Sequence, residues 1–109
     1  MPSRSRQKGD REERAIVDAA RSRGLEARRV PLSGSVDGYE GDVVLIDPVS
    51  KAERTIEAKH RADGFREIYK WLLEDHVDFL TVRADRRERL WIMREDDFFA
   101  LLKWGATSE

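Results

Sequence analysis

Asp42, Glu57 and Lys59 are the residues of this chain whose types and spacing could do chemistry. Gly41-Asp42 opens an apolar stretch, a turn follows, and a second extended stretch ends in Glu57-Ala58-Lys59. Two acids and an amine brought together on paired strands suit the hydrolysis of a phosphodiester with the help of a hard cation. Magnesium takes oxygen ligands and keeps several waters, so one or two carboxylates and a substrate phosphate complete its shell. The cation holds the phosphate, and the lysine orients or deprotonates the attacking water. Strand alternation predicts that Thr55, Glu57, Lys59 and Arg61 share one face, with Ile56 and Ala58 on the other. A solvent-facing ladder of charges would have the same pattern, because a carboxylate-x-lysine triplet by itself is a weak motif.

The elements that must position these residues are readable from periodicity. Residues 1–9 are polar and unpatterned and predict a flexible basic arm. Asp10 is a good N-cap with Glu13 three residues on, so a helix is expected from about Asp10 to Arg23, burying Ile16, Ala19 and Ala20 and stopping at Gly24. Glu13 projects from its first turn, either as a capping partner or as a third carboxylate aimed at the sheet. Leu25 to Leu32 reads as extended. Ser33 to Gly41 is turn-rich, Asp42 to Ile46 has the apolar run of a strand buried on both faces, and Arg54 to Arg61 is its partner across Asp47-Pro48-Val49-Ser50. Phe65, Ile68, Tyr69 and Leu72 recur at helical spacing. Asp78 to Ala84 and Leu90 to Arg94 read as strands around Asp85-Arg86-Arg87-Glu88, and a last helix capped near Asp96 turns Phe98, Leu101 and Leu102 inward. Trp71, Trp91, Phe99 and Trp104 fall off these stripes, either as an interface or as packing over the sheet.

Composition narrows the function classes. A chain of 109 residues is one domain with a modest core. It has no cysteine, which excludes disulfides and thiolate metal sites and fits a reducing, intracellular setting. The charged N-terminus predicts neither a signal peptide nor a membrane span. Net charge is -1, yet residues 1–31 carry nine basic against five acidic side chains, +4, so the remainder carries -5. That asymmetry points to a basic arm or face that meets phosphate, unless the charge simply solvates the surface. His60 and His76 read as surface or packing residues rather than ligands.

Four pieces carry a family resemblance: Lys8-Gly9-x-x-x-Glu13-Arg14, Arg29-Val30-Pro31-Leu32-Ser33, Gly41-Asp42 and Glu57-Ala58-Lys59. In this order, on this succession of elements, they resemble the archaeal-type Holliday junction resolvases of the PD-(D/E)xK nuclease superfamily. The resemblance covers residues 8–61 and fades beyond Arg61, with Lys70 only a loose match to a basic helix residue. It implies a mixed α/β, restriction-endonuclease-like core in αβββαβ order with an added C-terminal strand and helix, and a central mixed sheet flanked by helices. It implies a single nuclease domain over residues 10–109 that nicks four-way junctions on two opposed strands, leaving 5′-phosphate and 3′-hydroxyl ends. Asp42 and Glu57 resemble the metal-binding carboxylates, with the Ala58 carbonyl as a further ligand, Glu13 completing the metal site and Lys59 as the catalytic lysine. Ser33 matches a loop serine important for cutting. Arg14 is placed to hold a phosphate, Arg29 to steady a phosphate or pair with an acid, and Arg4, Arg6, Lys8, Ser35 and Arg61 extend the expected DNA contacts.

The implied cofactor is Mg2+, with Mn2+ as a substitute. The implied partners are branched DNA and a second copy in a C2 homodimer, since one site per chain must nick two strands, with no membrane. Readings that compete are another endonuclease of the superfamily (flap, nicking or single-strand), a catalytically silent DNA-binding module, and a small α/β protein with no nucleic-acid role.

Overall fold

The computed structural model describes residues 4–30 and 42–107, with side chains described over 9–30 and 42–106. It is a mixed α/β structure whose order is helix, three strands, helix, two strands, helix: α1 (Arg4–Ser22), β1 (Ala27–Arg29), β2 (Val43–Ile46), β3 (Glu53–Ile56), α2 (Arg66–Tyr69) running into a π-helical stretch (Lys70–Glu74), β4 (Phe79–Val82), β5 (Leu90–Met93) and α3 (Glu95–Thr107). The chain divides into two compact units, Met1–His60 with Leu102–Glu109, and Arg61–Leu101. Among the described residues no helix is long and apolar enough to cross a membrane.

In the first unit α1 packs on β1 and β2. The helix starts at Arg4 rather than Asp10, so residues 4–9 of the expected arm are helical. Arg, Gln and Lys are good helix formers that carry the helix through Gly9, and the Asp10 and Glu13 carboxylates are taken by Arg29 instead of capping. The buried stripe is Glu13, Val17 and Ala20. Ile16 and Ala19, expected inside, are half-buried on its flank.

Gly24 ends the helix as predicted. Leu25 N donates to Ala20 O and Gly24 N to Arg21 O, both at 3.0 Å, the paired bonds of a Schellman stop. Gly24 has φ 80° and open space around its missing Cβ, so a side chain there meets backbone strain and no clash. Gly24→Ala is expected to lower stability by about 1 kcal/mol, read as a shift of the urea midpoint with unchanged slope.

β1, β2 and β3 form an antiparallel sheet in that order, with Arg29 opposite Val43 and Val43 opposite Ile56. Val43, Val44 and Leu45 are at most 2% exposed, so β2 is buried on both faces as its unbroken apolar run predicts. β1 is shorter than the Leu25–Leu32 stretch expected. β3 stops at Ile56, and Glu57-Ala58-Lys59 lies beyond the ladder, so the alternation argument for one shared face does not extend to it.

The β2–β3 turn is built by Asp47. Its Oδ1 accepts from the amides of Val49 at 2.8 Å and Ser50 at 3.2 Å, and Oδ2 accepts from Arg54 Nε at 3.3 Å. The Val49 amide, then the Ser50 amide and Arg54, hold its carboxyl below the ordinary value against the opposing effect of desolvation. A carboxyl depressed in the folded state stabilises the fold above the unfolded pKa of ~3.9, and that contribution is lost as pH falls through the folded value. Asp47→Asn is therefore expected to flatten the acid limb of the melting-temperature profile below about pH 4, checked by thermal melts of both proteins across that range.

In the second unit β4 and β5 form a hairpin, with Leu80 opposite Ile92 and Thr81 opposite Trp91. Arg94 closes it onto the preceding helix by donating to Val77 O at 2.9 Å and Leu72 O at 3.2 Å. The π-helical stretch shifts the expected periodicity: Leu72 is buried, but Phe65 is the left-handed residue ahead of α2, and it and Tyr69 are exposed. His76, at φ 57°, follows the π-helical stretch and is exposed.

α3 opens on Glu95, Asp96 and Asp97, favourable at a helix N-terminus. Its buried aromatic is Phe99, 3% exposed, against Phe98 at 5.2 Å between ring centroids, while Leu101 is exposed. Phe99 therefore belongs to the core and leaves the set of interface candidates. Trp71, Trp91 and Trp104 remain exposed. The central mixed sheet expected from the resemblance is replaced, among the described residues, by two antiparallel sheets, because every pairing joins strands consecutive in the chain.

Candidate active site

Arg29 on β1 is the hub of one half of the site. Its Nη2 donates to Asp10 Oδ1 at 2.8 Å and its Nε to Glu13 Oε1 at 3.2 Å, so one guanidinium spans two acids a helical turn apart on α1. The planar fork suits this task, and lysine could not replace it. Glu13 is 6% exposed, the one buried charged residue among those described. A carboxylate removed from water needs a charged partner, and Arg29 supplies it.

Asp42, Ala58 and Lys59 form the other half. Just ahead of β2, Asp42 takes the Ile56 carbonyl with its amide at 2.7 Å, and its own carbonyl accepts from Val30 N at 3.0 Å. Its Oδ2 accepts from Ala58 N at 2.9 Å. The aspartate carboxylate thus takes over where the β2–β3 ladder ends and holds the Glu57-Ala58-Lys59 stretch against the start of β2. Glu57 and Lys59 are exposed, with Nζ 3.5 Å from Oε1. One residue on, His60 Nδ1 stands 3.2 Å from Glu12 Oε1.

The structure therefore brings Asp42 onto the Glu57-Ala58-Lys59 stretch, and joins Glu13 to Arg29. It does not gather Glu13, Asp42 and Glu57 into one cluster: among the described residues no three acids or histidines stand together as a metal-holding group. Asp42, the exposed Glu57 carboxylate and the Ala58 carbonyl are hard oxygen donors, the set a dication such as magnesium accepts, and in that chemistry they fit the group. Glu13 is engaged elsewhere. Arg14 and Arg61 are exposed. Arg4, Arg6 and Lys8 lie on α1 but their side chains, like Ser33 and Ser35 as a whole, fall outside the described residues.

Sequence reasoning missed Asp10 as the second partner of Arg29 and Glu12 as the partner of His60. The signal for Asp10 was available in its spacing to Glu13, which puts both on one face of a helix, but capping was the competing reading. Nothing in the sequence pointed to Glu12 and His60.

Comparison with curated proteins and with solved structures gives no significant match. The family model described as archaeal Holliday junction resolvase (Hjc) matches residues 4–93, which extends the likeness well past the point where the motifs fade. That stretch contains both halves of the site and all five strands. A match over most of the chain, on the residues that the fold has drawn together, means that this protein belongs to the archaeal Holliday junction resolvase family.

Proposed function

We propose that the chain is a metal-dependent endonuclease that resolves four-way DNA junctions by paired nicks, leaving 5′-phosphate and 3′-hydroxyl ends. The observation that carries this reading is the Asp42 carboxylate seated on the Ala58 amide at 2.9 Å, which holds the acid beside the Glu57-Ala58-Lys59 stretch in a member of a resolvase family. Residues 10–109 serve as one nuclease domain, with basic residues 1–9 reaching DNA. The protein works inside the cell, as a homodimer, and the exposed Trp71, Trp91 and Trp104 support an interface between copies, since aromatics are enriched there.

In this mechanism Asp42, Glu57 and the Ala58 carbonyl would hold Mg2+, or Mn2+ in its place, with Glu13 as a further carboxylate of the site. The cation would supply Lewis-acid polarisation of the phosphate and neutralise charge on the leaving oxygen. Lys59 orients the attacking water and, as the neutral amine, takes its proton at Nζ, or, as the ammonium, stabilises charge on a phosphate oxygen. Arg29 keeps the Asp10 and Glu13 carboxylates compensated. Arg14, Arg61, Arg4, Arg6 and Lys8 meet phosphates, with Ser33 serving in cutting and Ser35 as a further DNA contact. Such contacts make affinity fall steeply with salt and carry little sequence preference.

The test is cleavage of a synthetic four-way junction beside flap, duplex and single-strand substrates, with magnesium and with chelator. Paired cutting of the junction, lost with chelator, is the expected result. Preferential cutting of a flap or single strand would reassign the substrate within the superfamily. Glu13 engaged by Arg29, with no three-acid group among the described residues, favours as a second reading a DNA-binding module without catalysis. Salt-sensitive binding with no cutting of any substrate would establish that one instead.

A further inference from the structure

Among the described residues, one hydrogen bond anchors the backbone of the stretch that carries Lys59, Glu57 to Arg61 beyond the end of β3: that of Ala58 N to Asp42 Oδ2. The two contacts that bracket the lysine both come from acidic side chains: Asp42 on Ala58, one residue before it, and Glu12 against His60, one residue after it, Nδ1 to Oε1 at 3.2 Å. Glu12 precedes Glu13 on α1, so this second contact ties the lysine stretch to the turn of helix that carries the Arg29 network. Both partners are partly exposed, at 46% and 39% for their side chains, and a surface contact of this kind adds little to folding. Its effect is local, on where a short unpaired stretch rests.

We propose that Glu12 and His60 are a positioning pair that sets where the Lys59 amine stands relative to Asp42 and Glu57. The proposal rests on the nuclease reading above. Neither side chain touches the reacting atoms; each acts through the lysine between the two anchors. Without the pair, the stretch pivots about Ala58 and Lys59 Nζ samples positions away from the attacking water, and small displacements of a reacting group cost large factors in rate.

The experiment is a double-mutant cycle read two ways. Glu12→Ala and His60→Ala are each expected to lower the single-turnover cutting rate at saturating junction by roughly tenfold, with junction affinity and melting temperature unchanged. The double variant should be no slower than either single, because both remove one contact. His60→Gln, which keeps a side-chain N–H donor, should recover part of the rate. In the metal-free protein Glu12→Ala should speed hydrogen exchange at the Ala58 amide, which its bond to Asp42 protects, and nowhere else. Unchanged rates, fully additive losses, or a loss that tracks affinity or melting temperature would overturn the pair as a positioning device, as would unaltered exchange at the Ala58 amide. If the wild-type protein cuts no branched DNA, the nuclease reading fails, while the exchange measurement still decides whether Glu12 holds this stretch.

Discussion

Lys59→Ala is expected to slow junction cutting by about a thousandfold, the range lost with a proton-transferring group, while junction binding and melting temperature stay as in the wild type. Lys59 is exposed, and the ion pair described for it is to Glu57, two residues away, so its removal leaves core and strand ladder intact. Single-turnover rates and a binding titration on the same four-way substrate read both quantities. Asp42→Asn sharpens the test. An amide oxygen in that position can still accept the Ala58 N–H, so the stretch stays seated while the negative charge is gone. Asp42→Asn should therefore lose activity with little loss of stability, whereas Asp42→Ala should lose activity and about 1 kcal/mol of stability with the hydrogen bond. Cutting by either Lys59→Ala or Asp42→Asn at the wild-type rate would remove the catalytic assignment.

The largest expected effect on folding belongs to Arg29. Arg29→Ala strands Glu13 in a site where it is 6% exposed and releases Asp10 as well. The loss should be about 2 kcal/mol, in the range for hydrogen bonds to charged groups and below that of a fully buried pair, because the Arg29 side chain is 35% exposed. Urea denaturation measures it. Glu13→Gln in the Arg29→Ala background should restore part of the loss by removing the stranded charge, and failure of that rescue would mean that Arg29 stabilises through packing of its stem rather than through Glu13. Cutting should fall in Arg29→Ala as well, since the same residue orders the helix acids that the nuclease reading uses.

Much of the architecture was legible from residue order. The apolar run of β2, the Gly24 stop, the Asp47 turn and the hairpin around Asp85-Arg86-Arg87-Glu88 all rest on interactions between residues close in the chain. Such interactions leave a mark on short stretches of sequence: unbroken hydrophobicity, a glycine where φ must be positive, an aspartate able to accept two amides ahead of it. The helix start was misread for the same reason. Asp10 and Glu13 have the spacing of a cap, and no local pattern records that an arginine on β1 takes both.

The motifs were enough to bring Asp42, Glu57, Lys59, Glu13 and Arg29 to attention, and the family they imply is the one the chain belongs to. Their arrangement was not readable. Periodicity put Glu57 and Lys59 within a strand, but the ladder ends at Ile56 and the Asp42 side chain supplies the next hydrogen bond. It left Glu13 either a capping partner or a third carboxylate aimed at the sheet, and Arg29 takes that carboxylate.

What the amino-acid sequence determined by itself is chemistry and local conformation: which side chains carry charge, where the chain turns, which stretches must be buried. Only the tertiary structure decided the contacts that build the site, because Arg29 to Glu13 and Ala58 to Asp42 each join residues sixteen positions apart and depend on how the elements pack rather than on any spacing along the chain.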